Sequence, residues 1–152
     1  MEPRERNEEE QEGEVSGFLL DTHYWLWLQM GNAQRLDGKG RRELLEMQKR
    51  GALYLSAVSV WEVARLVADH YVDLSAPVDQ FVDEALRDGG LQLIPLSTRV
   101  LIESTRLPGD LHRDPSDRLL AATAREHSLT LVTRDKELLR YGRRGHLQAV
   151  NV

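Results

Sequence analysis

The 152-residue sequence contains no cysteine, which removes disulfides, thiolate zinc sites and cysteine nucleophiles together. Any metal it holds must sit on oxygen or imidazole. No apolar run approaches the roughly 18 to 20 residues that cross a bilayer, and the opening MEPRERNEEEQEGE lacks the apolar stretch of a signal peptide. A cytoplasmic protein with no membrane partner is expected. Lysine is scarce, three residues against seventeen arginines. The planar fork of Arg suits phosphate, but genome composition or growth temperature shifts the same count, so little rests on it.

The formal charge of −5 looks unfavourable for nucleic acid, because affinity for a polyanion comes largely from basic groups that displace counterions. The distribution of that charge removes the obstacle. Residues 1-16 carry seven Glu and two Arg, which leaves 18 acidic and 18 basic residues over 17-152. The acidic segment 1-16 has no apolar periodicity and is expected to be a disordered N-terminal extension. Residues 17-152 have the length of one domain.

Within that stretch, short apolar runs at 17–20, 53–55, 91–96, 129–132 and 147–150 read as strands. Helical periodicity or capping signals occupy 23–30, 41–50, 56–70, 77–87, 97–106, 115–127 and 135–141. Gly38 to Gly40 reads as a turn before the second helix. Alternation of short strands with helices predicts an α/β fold, a three-layer α/β/α sandwich on a short parallel sheet.

Asp21 directly follows the first strand and Asp135 follows the fourth by two residues, while Glu62 and Asp117 lie in the first turns of helices. In a parallel sheet these places gather at one edge, where open α/β sheets bind ligands. Any one of the acids alone is more simply a helix cap. Four together would repel unless cations neutralise them. Oxygen donors favour a hard cation, Mg2+ or Mn2+, over a soft metal, and such an ion supports phosphoryl chemistry by activating water and stabilising charge on phosphate.

The segments LLDTH at 19–23, SAVSVWEV at 56–63, HRDPSDRLLAA at 112–122 and LVTRD at 131–135, in this order and spacing, resemble the PIN-domain family. The narrower likeness is to the VapC-type toxin ribonucleases of toxin-antitoxin pairs, and it spans 17-152. The resemblance implies a Mg2+- or Mn2+-dependent endoribonuclease acting on single-stranded or loop RNA, a homodimer, and a cognate antitoxin protein as partner. It matches Asp21, Glu62 and Asp117 to the core acids and Asp135 to a more variable fourth. The alternatives are a PIN-like module that binds RNA or protein without catalysis, and a solitary RNA-processing nuclease. A haloacid-dehalogenase-type phosphatase would need an Asp where His23 stands.

Around these acids, Asp114, Thr22, Thr133, Arg118 and Arg134 are candidates for supporting the metal shell or touching substrate. Asp114 competes with a turn or cap before Pro115, the threonines with helix capping, and the arginines with salt bridges to the acids. His23 and His112 flank the site, but water activated by a metal needs no imidazole base, so both read as structural or surface residues. Trp25, Trp27 and Trp61 read as core or dimer packing rather than base-stacking platforms. Arg140, Arg143 and Arg144 beside Tyr141 form a local basic cluster that a solvated face explains by default.

Members of the family it resembles commonly open their first strand within a few residues of the initiator Met, so a start at Val15, giving VSGFLLD, is a competing expectation for the native chain. Intact mass of protein from the native host decides it, and a full-length species carrying residues 1-16 rules out the Val15 start.

Overall fold

The computed structural model describes residues 17–152, so the expected disordered extension over 1-16 lies outside the described residues. Among them, five strands form one parallel sheet: β1 Phe18–Leu20, β2 Leu53–Ser56, β3 Gln92–Ile94, β4 Thr130–Val132 and β5 Ala149–Val150, in the order β3-β2-β1-β4-β5. Seven α-helices connect them: α1 Thr22–Met30, α2 Gly38–Lys49, α3 Ala57–Ala68, α4 Val78–Asp83, α5 Thr98–Glu103, α6 Pro115–Glu126 and α7 Lys136–Arg143. A π-helical turn, Glu84–Asp88, extends α4. The expected α/β sandwich on a short parallel sheet is what the chain forms.

The two-residue period of the strands sorts their side chains between two cores. Leu19 and Leu131 enter one, with Ile94, Val100, Leu120, Leu138 and Tyr141. Their neighbours Leu20 and Val132 enter the other, with Trp25, Leu44, Leu55, Val63 and Phe81. Strands of three or four residues suffice because both faces are covered, which is why they read as continuous apolar runs.

The strand order fixes where a ligand can enter. From β1 the chain builds outward through β2 to β3, then crosses to the other side for β4 and β5. The reversal falls between β1 and β4, which pair in register from Phe18 opposite Thr130 to Leu20 opposite Val132. The crevice beyond the carboxyl ends of two strands that depart in opposite directions is the ligand position of open α/β sheets. Asp21 and Thr133 are the first residues past those two ends.

One expectation needs correction. Gly38 to Gly40 is not a turn before a helix but the first turn of α2 itself. Asp37 caps it, its Oδ1 accepting from the Gly40 amide at 2.8 Å. Gly40 is buried, and a Cβ there would lie 2.9 Å from Leu36 Cδ1 and 3.2 Å from the backbone C of Val152. Glycine is there for close packing, which a reading that takes paired glycines as helix breakers misses. Replacing Asp37 with Ala should cost about 1 kcal/mol in chemical denaturation, with Asn recovering most of it; an unchanged midpoint would mean that the cap does not hold α2.

Candidate functional site

A cleft of about 370 Å³ opens at the β1/β4 reversal, lined by Asp21, Glu62, Asp114, Asp117 and Asp135 together with His23, Tyr24, Trp27 and Arg134. A larger surface hollow of about 680 Å³, between α2 and the π-helical turn, gathers only two acids, Glu46 and Asp88, and mixes them with Arg42 and Lys49. The four acids singled out from sequence, and Asp114 with them, therefore share one site.

Each carboxylate is fixed by its own donor. Asp21, 8% exposed, accepts from the His23 amide through Oδ1 at 3.0 Å and from the Thr133 hydroxyl through Oδ2 at 2.7 Å. Thr133 Oγ1 in turn accepts from the Asp135 amide at 3.1 Å, joining the ends of β1 and β4 through one hydroxyl. Glu62 Oε1 accepts from Thr22 Oγ1 at 3.0 Å, and Thr22 Oγ1 lies 2.8 Å from Ser59 Oγ. A hydroxyl has one proton. With Glu62 ionised, Thr22 donates to it and Ser59 donates to Thr22, a buried relay that orients the acid.

Asp114 caps α6, its Oδ1 accepting from the Asp117 amide at 3.0 Å. Asp135 caps α7, its Oδ1 accepting from the Glu137 and Leu138 amides at 2.9 Å each. Asp117 Oδ2 lies 3.1 Å from His112 Nε2. His112 Nδ1 accepts from the Asp114 amide at 3.2 Å, so the proton of a neutral ring sits on Nε2 and points at Asp117. One potential ligand atom from each of His112, Asp117 and Asp135 lies within 4.8 Å of the others. That trio differs from the expected quartet: Asp21 and Glu62 line the same cleft but do not enter it.

Crowding marks the electrostatics. Burial pushes the Asp117 carboxyl up to about 7, helped by Asp114, Asp135, Asp21 and Glu62. Glu62 is also raised, chiefly by burial, with the Thr22 hydrogen bond working against it. His23 Nδ1 is 3.7 Å from Asp21 Oδ1, and that carboxylate raises the imidazole above its ordinary value while burial opposes the shift. Among the described residues, Arg134 is the only Arg or Lys in the lining. It donates to Tyr24 Oη at 3.0 Å and to O of Val152 at 3.2 Å rather than to the five acids of the cleft. Five carboxylates without an Arg or Lys bound to them, presenting oxygen donors beside an imidazole, are a donor set that fits a hard divalent cation.

Several sequence-based readings change. Arg118 neither clamps the cleft nor bridges to its acids; its guanidinium donates to the Ser104 and Leu111 carbonyls at 2.8 and 3.0 Å, tying α6 to the chain before it. His112 is bonded to Asp117 rather than a bystander, and Ser59 enters the site unannounced. The HxD spacing of His112 and Asp114 before Pro115 was the available signal for His112. Ser59 had none beyond its place near the start of a helix, and the cap of α3 is Ser56. Tyr141 is 1% exposed, so the Arg140, Arg143 and Arg144 cluster has no free aromatic in Tyr141. The tryptophans divide: Trp25 is core, Trp61 is exposed under Arg65, and Trp27 lines the cleft.

A profile of the PIN domain family matches residues 18–144. Ribonuclease VapC22 of Mycobacterium tuberculosis is 29% identical over 124 residues, 82% of this chain and 91% of that protein. Among solved structures, VapBC2 from Rickettsia felis, bound to a DNA fragment from its promoter, superposes with a TM-score of 0.66 at 18% identity, covering 88% of this chain and 97% of that one. DNA-bound VapBC from Salmonella typhimurium gives 0.61 at 16%, covering 90% and 98%. FitAcB from Neisseria gonorrhoeae gives 0.55 at 20%, covering 88% and 96%. At these identities the structures speak to fold alone.

The raised carboxyl at Asp117 makes a prediction for the protein in EDTA. Its folded value of about 7 lies above the ordinary 3.8, so between those values the folded chain holds a proton the unfolded chain has released, and stability falls as pH climbs through that window. Asp117→Asn removes this contribution. Its melting temperature should match wild type near pH 4 and exceed it by about 3–8 °C at pH 8. A difference independent of pH in scanning fluorimetry would show that Asp117 does not carry the shift.

Proposed function

This chain belongs to the PIN domain family, and from that premise we propose that it is a Mg2+- or Mn2+-dependent endoribonuclease, the toxin of a toxin-antitoxin pair, with its PIN domain over 17-152. The observation that carries this reading is the convergence of five carboxylates on one cleft at the sheet reversal, where the lining arginine is bonded to Tyr24 Oη and Val152 O instead of to them. The ribonuclease name of the Mycobacterium tuberculosis relative supports the choice of RNA as substrate.

Asp21, Glu62, Asp117 and Asp135 are the residues that would hold the metal. Bound there, a divalent cation supplies polarisation of the scissile phosphate and activation of a water for in-line attack. The protein's part is preorganisation. Thr133 fixes Asp21, the Ser59–Thr22 relay fixes Glu62, and His112 fixes Asp117. Asp114 holds the start of α6, and so the position of Asp117, through its cap. Residues supporting a ligand in this way commonly change metal affinity or activity about 10- to 100-fold when removed.

An antitoxin partner is supported by the VapBC structures among the relatives. Trp61 on α3 and Leu101 and Ile102 on α5, each about half exposed, supply apolar surface for association, including the homodimer. Among the described residues no helix is long and apolar enough to cross a membrane.

Asp21→Asn and Glu62→Gln should each reduce Mn2+-dependent cleavage of single-stranded RNA by about a hundredfold or more, with far-UV circular dichroism unchanged, and EDTA should silence the wild type. Undiminished cleavage by Asp21→Asn would refute the assigned site.

A further inference from the structure

The cleft has a second lining that the acids leave unused. His23 and Trp27 stand one helical turn apart on α1, so they share a face, with ring centroids 6.0 Å apart. Arg134 lays its guanidinium carbon 4.9 Å from the Trp27 centroid and 5.1 Å from that of Tyr24. Its Nε and Nη2 donate to Tyr24 Oη and Val152 O. Among the described residues Nη1 has no partner and none of the five cleft carboxylates pairs with the guanidinium, which leaves Nη1 for a ligand. His23 is exposed and Trp27 half-buried, whereas Tyr24 is buried.

Those features answer a need the acids create. An RNA chain is a polyanion, and a cleft walled by carboxylates repels it everywhere except at a bound cation. A fixed guanidinium beside aromatic rings gives one phosphate a partner and one base a stacking surface. We propose that His23, Trp27 and Arg134 form the subsite for one nucleotide of a single-stranded RNA next to the scissile phosphate, Nη1 of Arg134 taking a phosphate oxygen and the base lying against the Trp27 and His23 rings. The subsite rests on the nuclease reading above and adds to it a source of strand selectivity. Only an unpaired base can leave its own stack to reach those rings.

The test uses the full chain carrying Asp117→Asn to slow cleavage, with Mg2+ present, and anisotropy of a labelled 20-nucleotide single strand against the same sequence as a duplex. Trp27→Ala should weaken single-strand binding about 5- to 20-fold and leave duplex binding within twofold, and Trp27→Phe should restore most of the loss. Arg134→Gln should weaken binding and reduce the steepness of log Kd against log salt by about 0.7, the contribution of one phosphate contact on a single strand. Trp27→Ala should leave that slope alone.

Equal losses on both RNAs, no recovery with Phe, or an unchanged salt slope in Arg134→Gln would each overturn the subsite, since a purely structural role for Arg134 and Trp27 produces those results. Cleavage by the wild type alongside binding that ignores all three variants removes the subsite and leaves the nuclease reading intact. Selective binding by a wild-type chain that cuts no RNA supports the subsite and removes the nuclease reading instead.

Discussion

Five carboxylates within one cleft repel one another, and the arrangement around that cleft is set by how the repulsion is contained. At the effective dielectric of a partly buried site, two unit charges 4 Å apart oppose each other by about 4 kcal/mol, comparable to a large part of the stability of a domain this size. The chain does not answer with arginine. Three of the five acids are the N-caps of helices: Asp21 of α1, Asp114 of α6 and Asp135 of α7. There the unsatisfied amides and the helix dipole favour negative charge. Glu62 and Asp117, which cap nothing, are both held above their ordinary pKa, chiefly by burial.

That division dissolves a choice posed by the sequence, where each acid reads either as a helix cap or as a metal ligand. A carboxylate has two oxygens. Asp135 gives Oδ1 to the Glu137 and Leu138 amides and still contributes to the trio with His112 and Asp117. Capping fixes the rotamer of the group that faces the cleft, so structural use of one oxygen prepares the other. Asp21 is the exception, with both oxygens already engaged by His23 N and Thr133; its lone pairs beyond those two bonds are what remain for a ligand.

How much of this was legible follows from which signals are local. Strand runs, the Asp-Pro start of α6 and the acids after β1 and β4 depend on neighbours in sequence, and they landed within a few residues of the observed elements. The destinations of long polar side chains depend on partners far along the chain. Arg118 reaches back to Ser104 and Leu111, and Ser59 meets Thr22 thirty-seven positions away, so neither was readable. Gly38 to Gly40 failed for another reason. The glycines sit in a helix because Gly40 packs under the Val152 backbone, a tertiary demand that overrides helix propensity.

The neutral charge of 17–152 hides a separation of sign at close range. Carboxylates gather at the β1/β4 reversal, yet the loop that delivers Asp135 delivers Arg134 one residue earlier, and adjacent side chains on an extended segment leave in different directions. Thr133 points at Asp21, Arg134 at Tyr24 and Asp135 at the start of α7. Three consecutive residues thus supply an orienting hydroxyl, a cation held off the cleft acids and a carboxylate. Tyr24 keeps the cation apart from the acid by offering it a neutral oxygen, itself hydrogen-bonded to Val152. Were Arg134 to swing onto Asp135, its charge would be cancelled and the acid drawn out of the cleft, so the contact with Tyr24 protects both groups at once.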